Sequence, residues 1–306
     1  MQSLITDIHA HHAPAGLSRA SDPAKVLVAT RYPPFEARLE LMDKAGVGRQ
    51  ILSCTAPTYL DDPLEARAKV QTINDELSAR CAENPTRFGF WASLPLPHVE
   101  ESLREIERIW NRPGAVGVYM GCSCQGGSIA RAAFDPIYAD LECRRGTVFI
   151  HPVQNGLNAP LINEFGLTVC AGAAIEDSVA ALHLIGRRIP QRFPSIHFII
   201  PHLGGLLPML LNRLDGQMPR DPDSEPPSVL AKRFFYDTVG WGSKAAMIAA
   251  VEAFGDSQIV PGSDYPFLLS WESYTQSFQN VRDAGLSGES VRKILFENAD
   301  RLLRCC

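Results

Sequence analysis

Two histidines one residue apart close the first apolar run of the chain, in Asp7-Ile8-His9-Ala10-His11. Residues 4–8 read as a short buried strand, and side chains alternate along a strand, so Asp7, His9 and His11 are expected on one face. Zinc or a similar divalent ion takes imidazole nitrogens at about 2.0–2.1 Å, and a His-x-His strand tip offers two of them without bending the chain. Taken alone, the pair also fits an ordinary polar strand end.

Three later segments have the same format, an apolar run that ends in a chemically capable side chain. They are Val148-Phe149-Ile150-His151-Pro152, Ile196-His197-Phe198-Ile199-Ile200-Pro201-His202-Leu203-Gly204-Gly205, and Gln258-Ile259-Val260-Pro261-Gly262-Ser263-Asp264-Tyr265-Pro266. In a (β/α)8 barrel the carboxyl ends of all strands meet at one face, where active sites are built. His9, His11, His151 and Asp264 would then form a mononuclear site with room for a water. A divalent ion there lowers the pKa of bound water to about 7 and can polarise a substrate oxygen. His202 is assigned proton transfer, since a neutral imidazole titrates near pH 7, and Gly204 and Gly205 let the backbone pass close to a ligand. The alternatives for His202 are a fifth ligand or a cap on the next helix.

The elements that must position these residues follow from periodicity and turn residues. Strands are expected at 4–8, 50–54, 88–96, 115–120, 147–151, 196–201, 234–239 and 258–260, with helices at 34–46, 63–84, 99–111, 134–145, 171–189, 206–214, 244–254 and 271–284. Alternating β and α units predict an α/β fold, a single-domain (β/α)8 TIM barrel over residues 1–306, with a C-terminal helical extension from 287 to 303. Residues 12–33 and the proline-rich 216–228 read as lids or linkers.

At 306 residues the chain suits one barrel better than two domains. A net charge of −5 with no basic run argues against nucleic acid and leaves a small molecule as the expected partner. Cys54, Cys81, Cys122, Cys124, Cys143, Cys170, Cys305 and Cys306 form no dense framework, and Cys122-x-Cys124 lacks zinc spacing, so a reducing, cytoplasmic setting is expected. No run approaches a membrane span, and the first residues lack a basic segment followed by a long apolar one.

Asp-x-His-x-His at the start, His-Pro after the fifth strand, His-x-Gly-Gly after the sixth and Gly-Ser-Asp-Tyr-Pro-Phe after the eighth resemble the amidohydrolase superfamily, narrowly its amidohydrolase-2 group of decarboxylases acting on carboxymuconate semialdehydes and aromatic acids. The likeness runs the length of the chain and includes Glu297-Asn298-Ala299-Asp300-Arg301-Leu302-Leu303. It implies metal ligands at His9, His11, His151 and Asp264, with His202 and Asp264 in catalysis. It also implies one divalent metal, zinc first and manganese second. Val118-Tyr119-Met120 stands where binuclear members place a bridging lysine, hence one metal. Arg213 matches an arginine that reaches a substrate carboxylate from the neighbouring subunit, which implies a homodimer. A surface arginine paired to Asp215 is the other reading. Arg19 and Arg31 are the candidates for a second substrate arginine.

The expected activity is non-oxidative decarboxylation of a small aromatic or unsaturated carboxylic acid. Metal-dependent hydrolysis or hydration of a lactone, amide or enol diacid on the same site is the alternative. A purely structural zinc site is the third reading, and it fits poorly, because structural sites are normally closed by four protein ligands away from a barrel mouth.

Overall fold

Eight apolar runs become eight parallel strands: β1 Ile5–His11, β2 Val47–Ser53, β3 Phe88–Ser93, β4 Ala115–Gly121, β5 Thr147–His151, β6 His197–Ile200, β7 Phe235–Asp237 and β8 Ile259–Val260. They pair in chain order as one sheet in a computed structural model that describes residues 4–14, 35–55 and 58–303. β8 is only two residues long, so the ring is closed beyond it by the following loop. Ile8 N donates to Pro261 O at 2.9 Å, Asp264 N to His9 O at 2.8 Å and His11 N to Tyr265 O at 2.6 Å. Closure thus delivers Asp264 beside β1.

The main helices are α1 Phe35–Ala45, α2 Pro63–Glu83, α3 Val99–Ile109, α4 Asp135–Cys143, α5 Gly172–Gly186, α6 Leu207–Gln217, α7 Lys244–Phe254 and α8 Tyr274–Arg282. Asp62 caps α2 by accepting from Leu64 N and Glu65 N. Several expected boundaries move, two of them for plain local reasons. β3 stops at Ser93 because Pro95 and Pro97, which follow, lack ladder N–H groups, and α8 starts at Tyr274 because Ser273 caps it.

Inward residues Ile8, Ile51, Trp91, Phe149, Ile199, Phe235 and Val260 fill the barrel, and Ala299 and Leu302 of the C-terminal helical extension pack on them. Helices in such a fold run back against the strands, so the segment after α6 lies at the strands' amino ends. There the proline-rich stretch is pinned by Asp221 to Arg188 and Glu225 to Arg233. It is no lid over the site. The other expected lid, 12–33, lies mostly outside the described residues.

One correction concerns β1. Asp7 pairs with Gln50 but the next pair is Ala10 with Leu52, so Ile8 and His9 both face Ile51 in a bulge that re-aims the side chains around it. Ile8 and His9 turn inward, whereas Asp7 turns out toward α8. Its carboxylate accepts from Tyr274 Oη at 2.7 Å, Gln50 Nε2 at 2.8 Å and Ser263 Oγ at 2.7 Å. Arg38 of α1, 1% exposed, donates to Gln50 Oε1 and to His11 O, both at 2.6 Å. This buried network holds the outer side of the strand that carries the histidine pair. Replacing Tyr274 by Phe leaves Asp7 short of a buried donor. It is expected to cost about 1–3 kcal/mol in urea unfolding. An unchanged midpoint would show that Asp7 is held without it.

Candidate active site

His9 and His11 sit at the top of β1, His151 ends β5, and Asp264 lies in the loop after β8. One potential ligand atom from each lies within 4.8 Å of all the others, and all four residues are buried. Each ring is held from behind. His9 Nδ1 lies 2.5 Å from Asp237 Oδ2, His11 Nδ1 lies 2.8 Å from Ser53 Oγ, and His151 Nδ1 lies 2.9 Å from Pro152 O. That leaves the three Nε2 atoms aimed at one another. His9 Nε2 and His11 Nε2 are 3.0 Å apart, Asp264 Oδ1 is 3.0 Å from His11 Nε2, and His151 Nε2 is buried with no hydrogen-bond partner. Lone pairs converging this closely, one of them orphaned, fit a shared divalent cation.

The protonation pattern agrees. Burial disfavours charge on each ring, yet Asp237 and Asp264 draw His9 up to about 9. At His11 burial prevails and the value falls to about 4; at His151 burial and the neighbouring rings push it well below 6.5. Burial also opposes ionisation of Asp264, but hydrogen bonds with His11, His202 and His9 hold it well below the usual carboxylate range. His11 and His151 are thus biased toward the neutral imidazole and Asp264 toward the carboxylate, the forms that bind a metal, and a divalent ion would meet all four donors where a proton meets one or two.

His202 stands beside this group rather than in it. Its Nε2 is 3.9 Å from Asp264 Oδ2 and its Nδ1 is 2.7 Å from Asp177 Oδ2. Its backbone N donates to Asp237 Oδ1 at 2.8 Å, so Asp237 ties the His9 ring to the His202 main chain. Burial works against a charge on His202, but Asp177 and Asp264 outweigh it and hold its pKa well above 6.5. Burial pushes Asp177 up to about 6 against the pull of His202. His202 and Asp264 both have left-handed backbone, φ +51° and +60°, an uncommon conformation for non-glycine residues that clusters at functional sites.

The sequence reading missed Asp237, Asp177 and Ser53. Asp237 closes the run Phe234-Phe235-Tyr236 in the same format as the others and could have been found by it. Asp177 lies inside a helix, where no spacing marks it. The glycines after His202 also do something other than expected. Gly205, at φ +59°, passes so close to α5 that a Cβ would lie 2.2 Å from Ala174 O, and one at Gly204 would lie 2.8 Å from the Tyr236 ring. They serve packing. Arg213 is exposed on α6, where its Nε donates to Gln217, and Asp215 accepts from Ser228 instead. Arg19 and Arg31 lie outside the described residues. His12 turns outward toward Glu76 and Phe35.

Asp237→Ala removes the partner of His9 Nδ1 and of the His202 amide together. Metal affinity measured by chelator competition is expected to fall about 10–100-fold. Turnover is expected to stay low at saturating metal, because the second tie is also lost. Full recovery with added metal would confine Asp237 to supporting His9.

Comparison with known proteins places this geometry. The chain is 31% identical to a 6-methylsalicylic acid decarboxylase of Penicillium expansum over 85% of this chain and 84% of that one. It is 27% identical to a 2-amino-3-carboxymuconate-6-semialdehyde decarboxylase of Dictyostelium discoideum over 81% and 71%. A solved dihydroxybenzoic acid decarboxylase of Polaromonas sp., with bound manganese and 2-nitroresorcinol, superposes with a TM-score of 0.88 over 99% of this chain and 97% of that one, at 24% identity. The amidohydrolase family model matches residues 6–305, and the chain belongs to that family.

Proposed function

We propose that this chain is a metal-dependent, non-oxidative decarboxylase of a small aromatic or unsaturated carboxylic acid. The carrying observation is the four-donor cluster with His202 at its edge, its Nδ1 held by Asp177, on a chain that aligns over most of its length with a 6-methylsalicylic acid decarboxylase. A hydroxylated benzoate is the favoured substrate class, matching the acids named for the relatives. His9, His11, His151 and Asp264 would hold the divalent ion. Three imidazoles with a carboxylate favour zinc, and the manganese in a structural neighbour keeps that ion as the second choice. When bound, the ion supplies Lewis acidity that fixes a substrate oxygen and disperses the charge developing on it.

The rest falls to the chain's own groups. Tyr119, whose ring centroid is 6.0 Å from that of His151, and Phe267, 5.3 Å from His11, offer flat apolar walls for a ring. His202, oriented by Asp177, gives its Nε2 proton to the carbon that carries the carboxylate. The bond to the carboxylate then breaks, its electron pair returns to the ring, and carbon dioxide leaves. The product keeps one proton in place of the carboxylate, and solvent restores the proton on His202. Metal-assisted hydrolysis uses the same ligands, but the relatives that the chain matches over most of its length are decarboxylases, which favours the first reading.

We assign Arg213 to the substrate carboxylate of a second copy in a homodimer, a role its exposed place on α6 supports. Six described cysteines are free thiols, which supports a reducing, cytoplasmic setting. Among the described residues no single helix is long and apolar enough to cross a membrane.

His202→Ala is expected to keep its metal, by elemental analysis, and to lose about 10²–10⁴-fold in turnover. Wild-type turnover would remove the assignment. Reaction in ¹⁸O-water separates the chemistries: carbon dioxide release with no label in the organic product is expected, and label there would favour the hydrolase.

A further inference from the structure

Glu176, in the first half of α5, is fully buried and has no part in the site as described so far. Its carboxylate accepts four backbone N–H groups in a row. Oε2 takes Val153 at 2.7 Å and Gln154 at 3.1 Å; Oε1 takes Asn155 at 2.9 Å and Gly156 at 2.8 Å. A succession of main-chain amides wrapped round one anion is a nest, and here the protein supplies the anion itself. The backbone bends to do so: φ is +58° at Gln154 and +54° at Gly156. Hydrogen bonds to a carboxylate are among the stronger ones, so four on one side chain hold this loop firmly.

The loop begins next to His151. Pro152 O, the acceptor for His151 Nδ1 at 2.9 Å, belongs to the peptide whose N–H is the first of the four. Fixing the Val153 amide fixes the plane of that peptide, hence the direction of the carbonyl, hence the rotation of the His151 ring and the aim of its orphaned Nε2. The next two residues of α5 act on the other side of the site. Asp177 holds the His202 ring, and Ser178 Oγ accepts from Leu206 N at 2.7 Å, four residues beyond His202. Three consecutive side chains of one helix thus face two different strand ends.

We infer that Glu176 is a positioning residue for the metal ligand His151, while its neighbour Asp177 holds the proton-transfer histidine from the same turn of α5. The inference rests on the metal-site reading above. Glutamine at 176 keeps the shape but has one acceptor oxygen for four donors, and its amide N–H₂ faces two of them. The loop must shift, and His151 with it.

The test uses the full chain loaded with cobalt(II), whose visible absorption reports ligand geometry, and competition with a chelator. Glu176→Gln is expected to alter the cobalt spectrum and weaken the metal about 10–100-fold. Ser178→Ala perturbs the same helix without touching the His151 loop, and is expected to leave both readouts as in wild type. Asp177→Asn is expected to keep the metal while shifting the pH profile of turnover. A folded Glu176→Gln protein with the wild-type spectrum and affinity overturns the proposal, as does an equal loss in Ser178→Ala. Should Glu176→Gln not fold, Glu176→Asp, with the charge kept and the arm one methylene shorter, is read by the same two measurements and the same criteria. If wild type itself takes up no metal, the metal-site reading fails instead.

Discussion

Three imidazole nitrogens and a carboxylate oxygen cannot be brought together in a dry interior unless something holds each from behind, since burial disfavours charge and lone pairs repel. The structure answers this ring by ring. Asp237 backs His9, Ser53 backs His11, the Pro152 carbonyl backs His151 and Asp177 backs His202. Each contact uses Nδ1, and each thereby fixes which nitrogen faces inward. The site is as much a set of outer supports as a set of ligands, and removing a support changes the aim of a ring without changing the donor count.

The barrel makes such a set possible because every strand end is adjacent to two others, so a group on one can brace a ligand on another. Asp237 at the end of β7 reaches the β1 histidine on one side and the turn after β6 on the other. Gly262 shows how tight the fit is. A Cβ there would lie 2.9 Å from the Cβ atoms of both His9 and Asp237, so the loop that carries Asp264 can pass between them only without a side chain. The closure of the ring past the short β8 depends on that passage, and so does the arrival of Asp264.

Much of this was legible in the sequence, and what was not has identifiable causes. The eight β/α units and the four candidate ligands announce themselves as apolar runs that end in His or Asp, a pattern in one dimension that the barrel converts into proximity. The bulge at Ile8 and His9 has no such signature. Strict alternation puts Asp7 with the histidines, whereas the extra residue turns it out to Tyr274. The supports on α5 are hidden for another reason: Glu176 and Asp177 look like any acidic pair on a solvated helix, and only the tertiary structure shows both fully buried. The lid reading of 216–228 failed because composition marks a loop but not the end of the barrel on which it lies.

Charge in the finished site also bears on its substrate. Asp264, Asp237 and Asp177 are three buried carboxylates that converge on the histidine group, and the proposed divalent ion would partly balance them. Glu176 stands outside this balance because four amide dipoles meet it. A centre so lined with carboxylates gives a substrate carboxylate little attraction beyond that of the ion itself. A further cation placed where the substrate carboxylate lies would supply more. In the proposed homodimer a guanidinium from the second copy would meet that condition, adding its charge only when two copies assemble, so that assembly and acid recognition would become one event. That is the physical reason for assigning Arg213 its role from an exposed helix rather than looking for a cation among the side chains that brace the metal.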